Sequence, residues 1–119
     1  MLFRSVSQSR YVTDLLILMS VRTNGTTSNY GSFLQFKLNN STANIQQIRF
    51  EGYATTLSTS VETNAGFGRG TNSNQLANSF SNNMMYIANY AGSLNKCIWN
   101  ESSTPTDSNL YNIHYGYVS

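Results

Sequence analysis

The segment Leu110–Val118, which reads LYNIHYGYV, alternates between two kinds of side chain and decides the fold class. One side carries Tyr111, Ile113, Tyr115 and Tyr117, and the other carries Leu110, His114 and Val118. A repeat of two residues is that of an extended strand, whose successive side chains point to opposite faces. We therefore predict a β-strand over residues 110–118.

Further segments repeat this pattern or carry a short apolar run. They are Val12–Val21 (VTDLLILMSV), Phe33–Leu38 (FLQFKL), Ile45–Ala54 (IQQIRFEGYA) and Met84–Ala91 (MMYIANYA). The middle of the first is apolar on both alternating faces, which is typical of a strand covered on both sides, and its pattern alone also fits a short helix. Lys96–Trp99 follows a Gly92-Ser93 turn signal, so it is expected to form a hairpin with the preceding strand.

The alternation also predicts which side chains face the core. In Phe33–Leu38 the apolar Leu34, Phe36 and Leu38 are expected inside. In Ile45–Ala54 we place Ile48 and Phe50 inside, and Arg49, Glu51 and Tyr53 outside. Arg49 and Glu51 are then expected to pair with charges on a neighbouring strand.

The middle of the chain has a weaker pattern. Between Thr55 and Asn83 we predict one or two short strands, with Thr56–Glu62 and Leu76–Phe80 as the candidates, because so long a structureless loop is unusual in a compact domain. Glu101–Ser108 carries the one proline and is read as a loop. The pattern favours an all-β, antiparallel β-sandwich or jelly roll, formed as one domain over residues 1–119.

Composition excludes several functional classes. Charged residues make up 10% of the chain, against roughly 25% in an ordinary protein, while 17 Ser, 12 Thr and 16 Asn supply the polarity. Seven basic against five acidic residues are too weak an excess for a nucleic-acid binder. One cysteine excludes an internal disulfide, and Leu15–Met19 is far shorter than the ~20 residues of a membrane span. We expect a mature, soluble protein.

Single residues offer little catalytic chemistry. His114 is the one histidine and is expected on a strand facing solvent or in a loop; Cys97 is expected to be a buried, inert thiol. The carboxylates are dispersed, at Asp14, Glu51, Glu62, Glu101 and Asp107, and Asp14 is expected to anchor a turn. A glycosidase would need two of them facing each other, which no motif predicts. We therefore predict no catalytic residue, no metal and no cofactor.

Two groups of residues are candidates for binding. Gly66–Gly70 reads GFGRG, half of a nucleotide-binding loop, but no helix pattern follows it. It is read as a surface loop with Gly at positive φ, or as a loop tip where Phe67 and Arg69 contact another subunit. Trp99, Tyr111, Tyr115 and Tyr117 form an aromatic-rich group. Core packing, a subunit interface and stacking on a glycan remain open for it.

The chain also resembles a family of virion proteins from tailed phages, common among marine and environmental phages. The resemblance lies in Phe3-x-Ser5-Val6, Gln8, Tyr11-x-Thr13-Asp14-Leu15-Leu16-Ile17, Ser20-Val21-Arg22, Phe33-Leu34-Gln35-Phe36 and Asn39, then in Tyr86-Ile87-x-Asn89-Tyr90 and Asn95-Lys96. It implies a concanavalin-like jelly-roll domain in a structural protein. Members of the family continue with more strands, so we expect either a fragment of a longer domain or strands supplied by a neighbouring subunit.

The resemblance sets the functional expectation. It implies a non-enzymatic component of the particle surface, soluble before assembly: a capsid decoration or cement protein, or part of a fibre or tail. Its partners would be other virion proteins and further copies of itself, for example in a trimer, and not nucleic acid. The alternative is a carbohydrate-binding domain that recognises a host surface glycan, and a polysaccharide hydrolase is a weaker third.

Overall fold

Eight β-strands make up the regular structure of the chain. The computed structural model describes residues 13–26, 31–38, 45–53, 55–63, 66–92, 94–105 and 110–118. The strands are β1 (Leu15–Val21), β2 (Ser32–Gln35), β3 (Ile45–Tyr53), β4 (Thr56–Glu62), β5 (Gly66–Gly70), β6 (Ser81–Ala88), β7 (Lys96–Thr104) and β8 (Leu110–Val118). The resemblance residues before Thr13, together with Asn39 and Asp107, lie outside the described part of the chain.

Six strands form one sheet in the order β1-β6-β7-β8-β3-β4, and β2 and β5 form a second, smaller sheet. Every neighbouring pair in both sheets is antiparallel. The aromatic strand β8 lies in the middle and pairs with β7 on one side and β3 on the other. The prediction of an all-β, antiparallel fold is therefore confirmed, as are the strands at 110–118 and 56–62 and the β6–β7 hairpin.

The small sheet covers one side of the large sheet, where β5 contacts β6, β7 and β8. We call this covered side of the large sheet the inner face and the opposite side the outer face. All five residues of β5 are buried. The two-stranded sheet therefore covers the large sheet through β5, with β2 paired at the side of β5, in a sandwich-like arrangement.

Phe67 of β5 is the centre of the apolar core. Its side chain is fully buried and packs in a cluster with Ile45, Met85, Ile87, Ile98 and Val118. Gly116 of β8 leaves the space for the ring, because a Cβ at that position would lie 2.7 Å from Phe67 Cζ. Phe36 meets the ring edge-on, with centroids 6.4 Å apart, as aromatic pairs prefer.

The predicted facing of β3 is wrong, and the strand is inverted. Ile48 and Phe50 are 47% and 39% exposed on the outer face, whereas Glu51 is 6% exposed on the inner face. Alternation in the sequence places the apolar side chains of a strand on one face. It does not show which of the two faces the rest of the protein covers. Here the covered face holds charges that are paired, as described below. Leu34, Phe36 and Leu38 are partly buried as predicted.

Four other local predictions are also wrong. Leu76–Phe80 forms turns, because Asn78 takes a left-handed φ of 61° and the carbonyls of Leu76 and Ser79 accept from Arg22. Gly66–Gly70 is a strand rather than a loop, although Gly68 does take a positive φ of 91°. β7 continues through Thr104 into the predicted loop. β1 is covered on one side only, since Leu16 and Leu18 are exposed.

Replacing Gly116 with alanine is expected to destabilise the fold. The new Cβ would lie 2.6 Å from the Gln46 carbonyl oxygen and 2.7 Å from Phe67 Cζ, so backbone or ring must move. Overpacking of this kind costs about 1–3 kcal/mol in the free energy of unfolding, measurable by urea denaturation. Gly52→Ala is the matched control, because the nearest heavy atom to its Cβ is 4.0 Å away. Equal midpoints for the two variants would contradict this packing.

Candidate functional site

The outer face of the large sheet carries an unbroken apolar row across all six strands. In the order of the strands, the row is Leu16, Tyr86, Trp99, Tyr115, Ile48 and Val61, each directly opposite the next. All six side chains are exposed, from 37% for Tyr86 to 77% for Val61. We call this line of residues the central row.

A second row runs beside the central row, displaced by two residues along each strand. It consists of Leu18, Met84, Glu101, Ile113, Phe50 and Thr59. Tyr117 lies beyond the central row in the other direction, opposite Cys97, and Tyr111 and Leu57 lie beyond the second row. Apolar and aromatic side chains therefore dominate the outer face from one edge strand to the other.

The aromatic side chains at the centre pack on one another. Trp99 and Tyr115 stack with centroids 5.9 Å apart and planes 17° apart, and Phe50 meets Tyr115 edge-on at 6.5 Å. Side chains on a sheet stand roughly perpendicular to it, so stacked rings direct their edges outward. Each ring of the stacked pair also has one of its flat faces covered by the other.

The four aromatic candidates named from the sequence all lie on this face. Trp99, Tyr111, Tyr115 and Tyr117 are 38–46% exposed, so they are not part of the core cluster. Their neighbours Leu16, Tyr86, Ile48 and Val61 were not predicted from the sequence, because the row they share depends on strand register. The sequence does carry one signal of this row: in several strands the side chains that alternate with the core-facing ones are also apolar.

Both carboxylates on the outer face accept a hydrogen bond from a tyrosine. The Tyr111 hydroxyl donates to Glu101 Oε1 at 2.5 Å, and this bond raises the pKa of Tyr111 to about 12. The Tyr86 hydroxyl donates to Asp14 Oδ2 at 2.5 Å, which raises the pKa of Tyr86 and lowers that of Asp14. Asp14 also accepts from the Asn89 backbone N–H at 2.8 Å. The prediction that Asp14 anchors a turn is confirmed, since residues 89–91 form one.

Four charged side chains on the inner face, those of Arg49, Arg69, Glu51 and Glu62, form a compensated network. Arg69 donates to Glu51 Oε1 from Nε and Nη2, at 3.0 and 2.7 Å. Arg49 lies 3.4 Å from Glu51 and 2.6 Å from Glu62, which confirms the predicted pairing across strands. Two positive and two negative side chains thus balance one another, which lowers the cost of burying them. The Phe33 ring lies beneath both guanidinium groups, 3.8 Å from Arg69 Cζ and 5.0 Å from Arg49 Cζ.

Phe67 and Arg69 do not lie at an exposed loop tip. They point inward from β5 and are 0% and 8% exposed, because the flanking glycines let β5 approach the large sheet closely. At Gly68, for example, a Cβ would lie 2.5 Å from Asn83 Oδ1. Their contacts lie within this chain, and a direct contact of Phe67 with another subunit is not available in this arrangement.

His114 is buried on the inner face, so its predicted exposure is wrong. Its Nδ1 lies 2.9 Å from Gln47 Oε1 and its Nε2 lies 3.1 Å from Asn112 Oδ1. Burial, together with Arg49 and Arg69, lowers the pKa of His114 to about 4, so the ring is neutral at pH 7. Gln47 donates to the Gly66 carbonyl, which fixes its oxygen toward Nδ1. Asn112 Oδ1 also accepts a hydrogen bond from the Ser102 hydroxyl.

Catalytic chemistry has little support in these arrangements. His114 contacts two amides rather than a nucleophile. Cys97 is exposed on the outer face instead of buried, because it has the same parity as Trp99 in β7. Within the described ranges, no three His, Cys, Asp or Glu side chains come together as a metal site. The outer face is therefore the strongest candidate for a functional surface.

Burial of neutral His114 predicts a loss of stability in mild acid. The His114 ring takes up a proton near pH 6.5 in the unfolded chain and near pH 4 in the folded chain. The free energy of unfolding is therefore highest above pH 6.5 and falls as the pH is lowered from 6.5 to 4. The loss is about 3 kcal/mol at pH 4 and is measured by urea unfolding at several pH values. The groups facing the ring are Arg49, Arg69 and Glu62. The lowered pKa of Asp14 adds its own loss only below pH 3.8.

His114→Gln is the control for this prediction, because it replaces the titrating ring with a polar amide that does not titrate. Its stability is lower at every pH, but its slope between pH 6.5 and 4 is expected to flatten. An unchanged slope in this variant would show that other groups carry the pH dependence.

Comparison with known proteins gives no match from which a role for the outer face could be taken. No model of a protein family, no curated protein and no solved structure matches the chain. In the described ranges there is also no helix that is long and apolar enough to cross a membrane.

Proposed function

We propose that the chain is a non-enzymatic structural protein of a phage particle that acts through contacts between subunits. In this proposal it is a capsid decoration or cement protein, or a fibre or tail component, on the particle surface. The observation that carries the subunit contact is the outer face with its central row. The phage setting is supported by the sequence resemblance alone.

The size of the outer face supports a binding role. Six strands about 4.8 Å apart, with seven to nine residues each at about 3.4 Å per residue, give a face of roughly 800 Å². The apolar rows take up much of this face, and contiguous exposed apolar patches of a few hundred Å² often mark interaction sites on soluble monomers. Trp and Tyr are also enriched at protein interfaces.

The low charge supports assembly in many copies. Charged residues are 10% of the chain, and both carboxylates of the outer face already accept a tyrosine hydroxyl. Weak net charge reduces repulsion between copies that crowd on one particle. For the fold type, we propose the concanavalin-like jelly roll of the resemblance. Its support is the antiparallel order, in which β1 lies beside β6 and β3 beside β8.

The test is the protein content of particles purified from a host that produces this chain. We expect mass spectrometry to find the chain in them, retained after a high-salt wash, because an apolar contact is not screened by salt. Absence from the particles, or release by salt alone, would contradict the proposal.

Recognition of a host glycan is the second candidate function, favoured by a depression on the outer face. The depression has a volume of about 570 Å³, and its lining includes Tyr111, Glu101, Asn82, Ser103 and Ser20. Hydroxyl, amide and carboxylate groups beside an aromatic ring suit a sugar. The stacking of Trp99 on Tyr115 covers one flat face of each ring, which leaves less aromatic surface for a sugar elsewhere on the outer face.

A glycan array separates the two candidates. We expect no specific binding by the wild-type chain. Specific binding that is lost in Tyr111→Ala and retained in Leu57→Ala would instead establish the glycan function, because Leu57 lies on the same face at the edge strand, outside the depression.

A further inference from the structure

We infer that the outer face binds the outer face of a second copy of this chain, so that two six-stranded sheets pack face to face. The inference rests on the proposed function, since it names the subunit that the outer face contacts. Sheets pack face to face about 10 Å apart in β-sandwiches, where the two apolar faces interdigitate. The outer face supplies one such surface, and a second copy supplies the other.

The area of the face matches what a stable dimer needs. A specific interface of standard size buries about 800 Å² on each partner. The six-stranded outer face offers roughly that area, and its apolar residues extend to both edges, at Leu18 on β1 and at Leu57 and Val61 on β4. A contact that covered only part of the sheet would leave one of these edges exposed.

The strongest anchors lie at the centre of the face. β7 and β8 are the third and fourth of the six strands, and they carry the stacked pair Trp99 and Tyr115 directly opposite each other. Residues that dominate binding energy are enriched in Trp and Tyr and cluster near the centre of an interface. The pair also stacks within one chain, so little side-chain entropy is lost on binding.

The charges favour a copy of this chain over a charged partner. The described cations avoid the outer face: Arg49, Arg69 and Lys96 point to the inner face, Lys37 follows β2, and Arg22 binds the carbonyls of Leu76 and Ser79. Nucleic acid or an anionic membrane would find no positive patch there. Glu101 is the one charge within the rows, and Tyr111 satisfies one of its oxygens when water leaves.

The symmetry of such a contact differs from that expected from the resemblance. A face-to-face contact uses the same patch on both copies and closes at two. A trimer needs a heterologous contact between two different patches of each copy. The inference therefore predicts a dimer as the unit that forms through the outer face.

Sedimentation equilibrium over a range of concentrations tests the inference with the full chain. The wild-type chain is expected to be a reversible dimer, and Trp99→Ala is expected to weaken dimerisation about thirty-fold or more. Leu76→Ala is the matched control, because Leu76 is 63% exposed but lies outside the large sheet. Its dimer is expected to be unchanged.

Leu16→Lys provides a second variant, should Trp99→Ala fail to fold. Leu16 is 48% exposed on the edge strand β1 and belongs to the central row, so the lysine is tolerated in the monomer but brings a charge into the contact. A wild-type monomer at all concentrations, or a dimer that neither outer-face variant weakens, overturns the inference. A monomer that is nevertheless found in purified particles refutes the face-to-face contact and leaves the proposed function standing. A dimer that is absent from the particles refutes the proposed function and leaves the face-to-face contact standing.

Discussion

The packing of Phe67 against Gly116 is the contact on which the other arrangements depend. The ring enters the one place on β8 where no side chain stands above the inner face, and it joins five apolar residues there. Once Phe67 is seated, β5 lies across the large sheet, and Arg69, two residues along, reaches Glu51. The ion pairs of Arg49 and the burial of His114 follow from the same position of β5.

This arrangement distributes polarity in an unusual way. The inner face combines a small apolar cluster with His114, Gln47, Asn83, Asn100 and Asn112, all nearly inaccessible to solvent. Several of their atoms have no hydrogen-bond partner among the described residues, including both polar atoms of the Asn100 amide. The outer face has the opposite character, with aromatic and aliphatic side chains in contact with water. Covering the outer face therefore lowers the free energy, and this is the physical basis of the proposed subunit contact.

The sequence predicted the strands better than their faces. Alternation located β8 to the residue, because a period of two needs no knowledge of neighbours. β4 was expected where it lies because the stretch after Thr55 is too long for one loop. Alternation inverted β3, because Arg49 and Glu51 are buried by partners on β4 and β5 that lie far along the chain. β5 itself was missed, since a strand of three glycines in five residues has no hydrophobic pattern, and its burial comes from tertiary packing.

The candidate site shows the same limit. The aromatic residues of β7 and β8 were recognised as a group with three open roles, and their exposure excludes core packing alone. Their joining with Leu16, Tyr86, Ile48 and Val61 into one row depends on the register of five strand pairs. Cys97 and His114 were each assigned to the wrong side for the same reason, since parity within a strand does not say which face is covered.

The fluorescence of Trp99 tests most directly whether the apolar face is the outer one. It is the one tryptophan of the chain, so its signal reports this face alone. In native protein diluted until it is monomeric, the account predicts emission at long wavelength that acrylamide quenches readily. Emission at short wavelength that stays protected from acrylamide in the folded monomer would place Trp99 in the core and contradict the account.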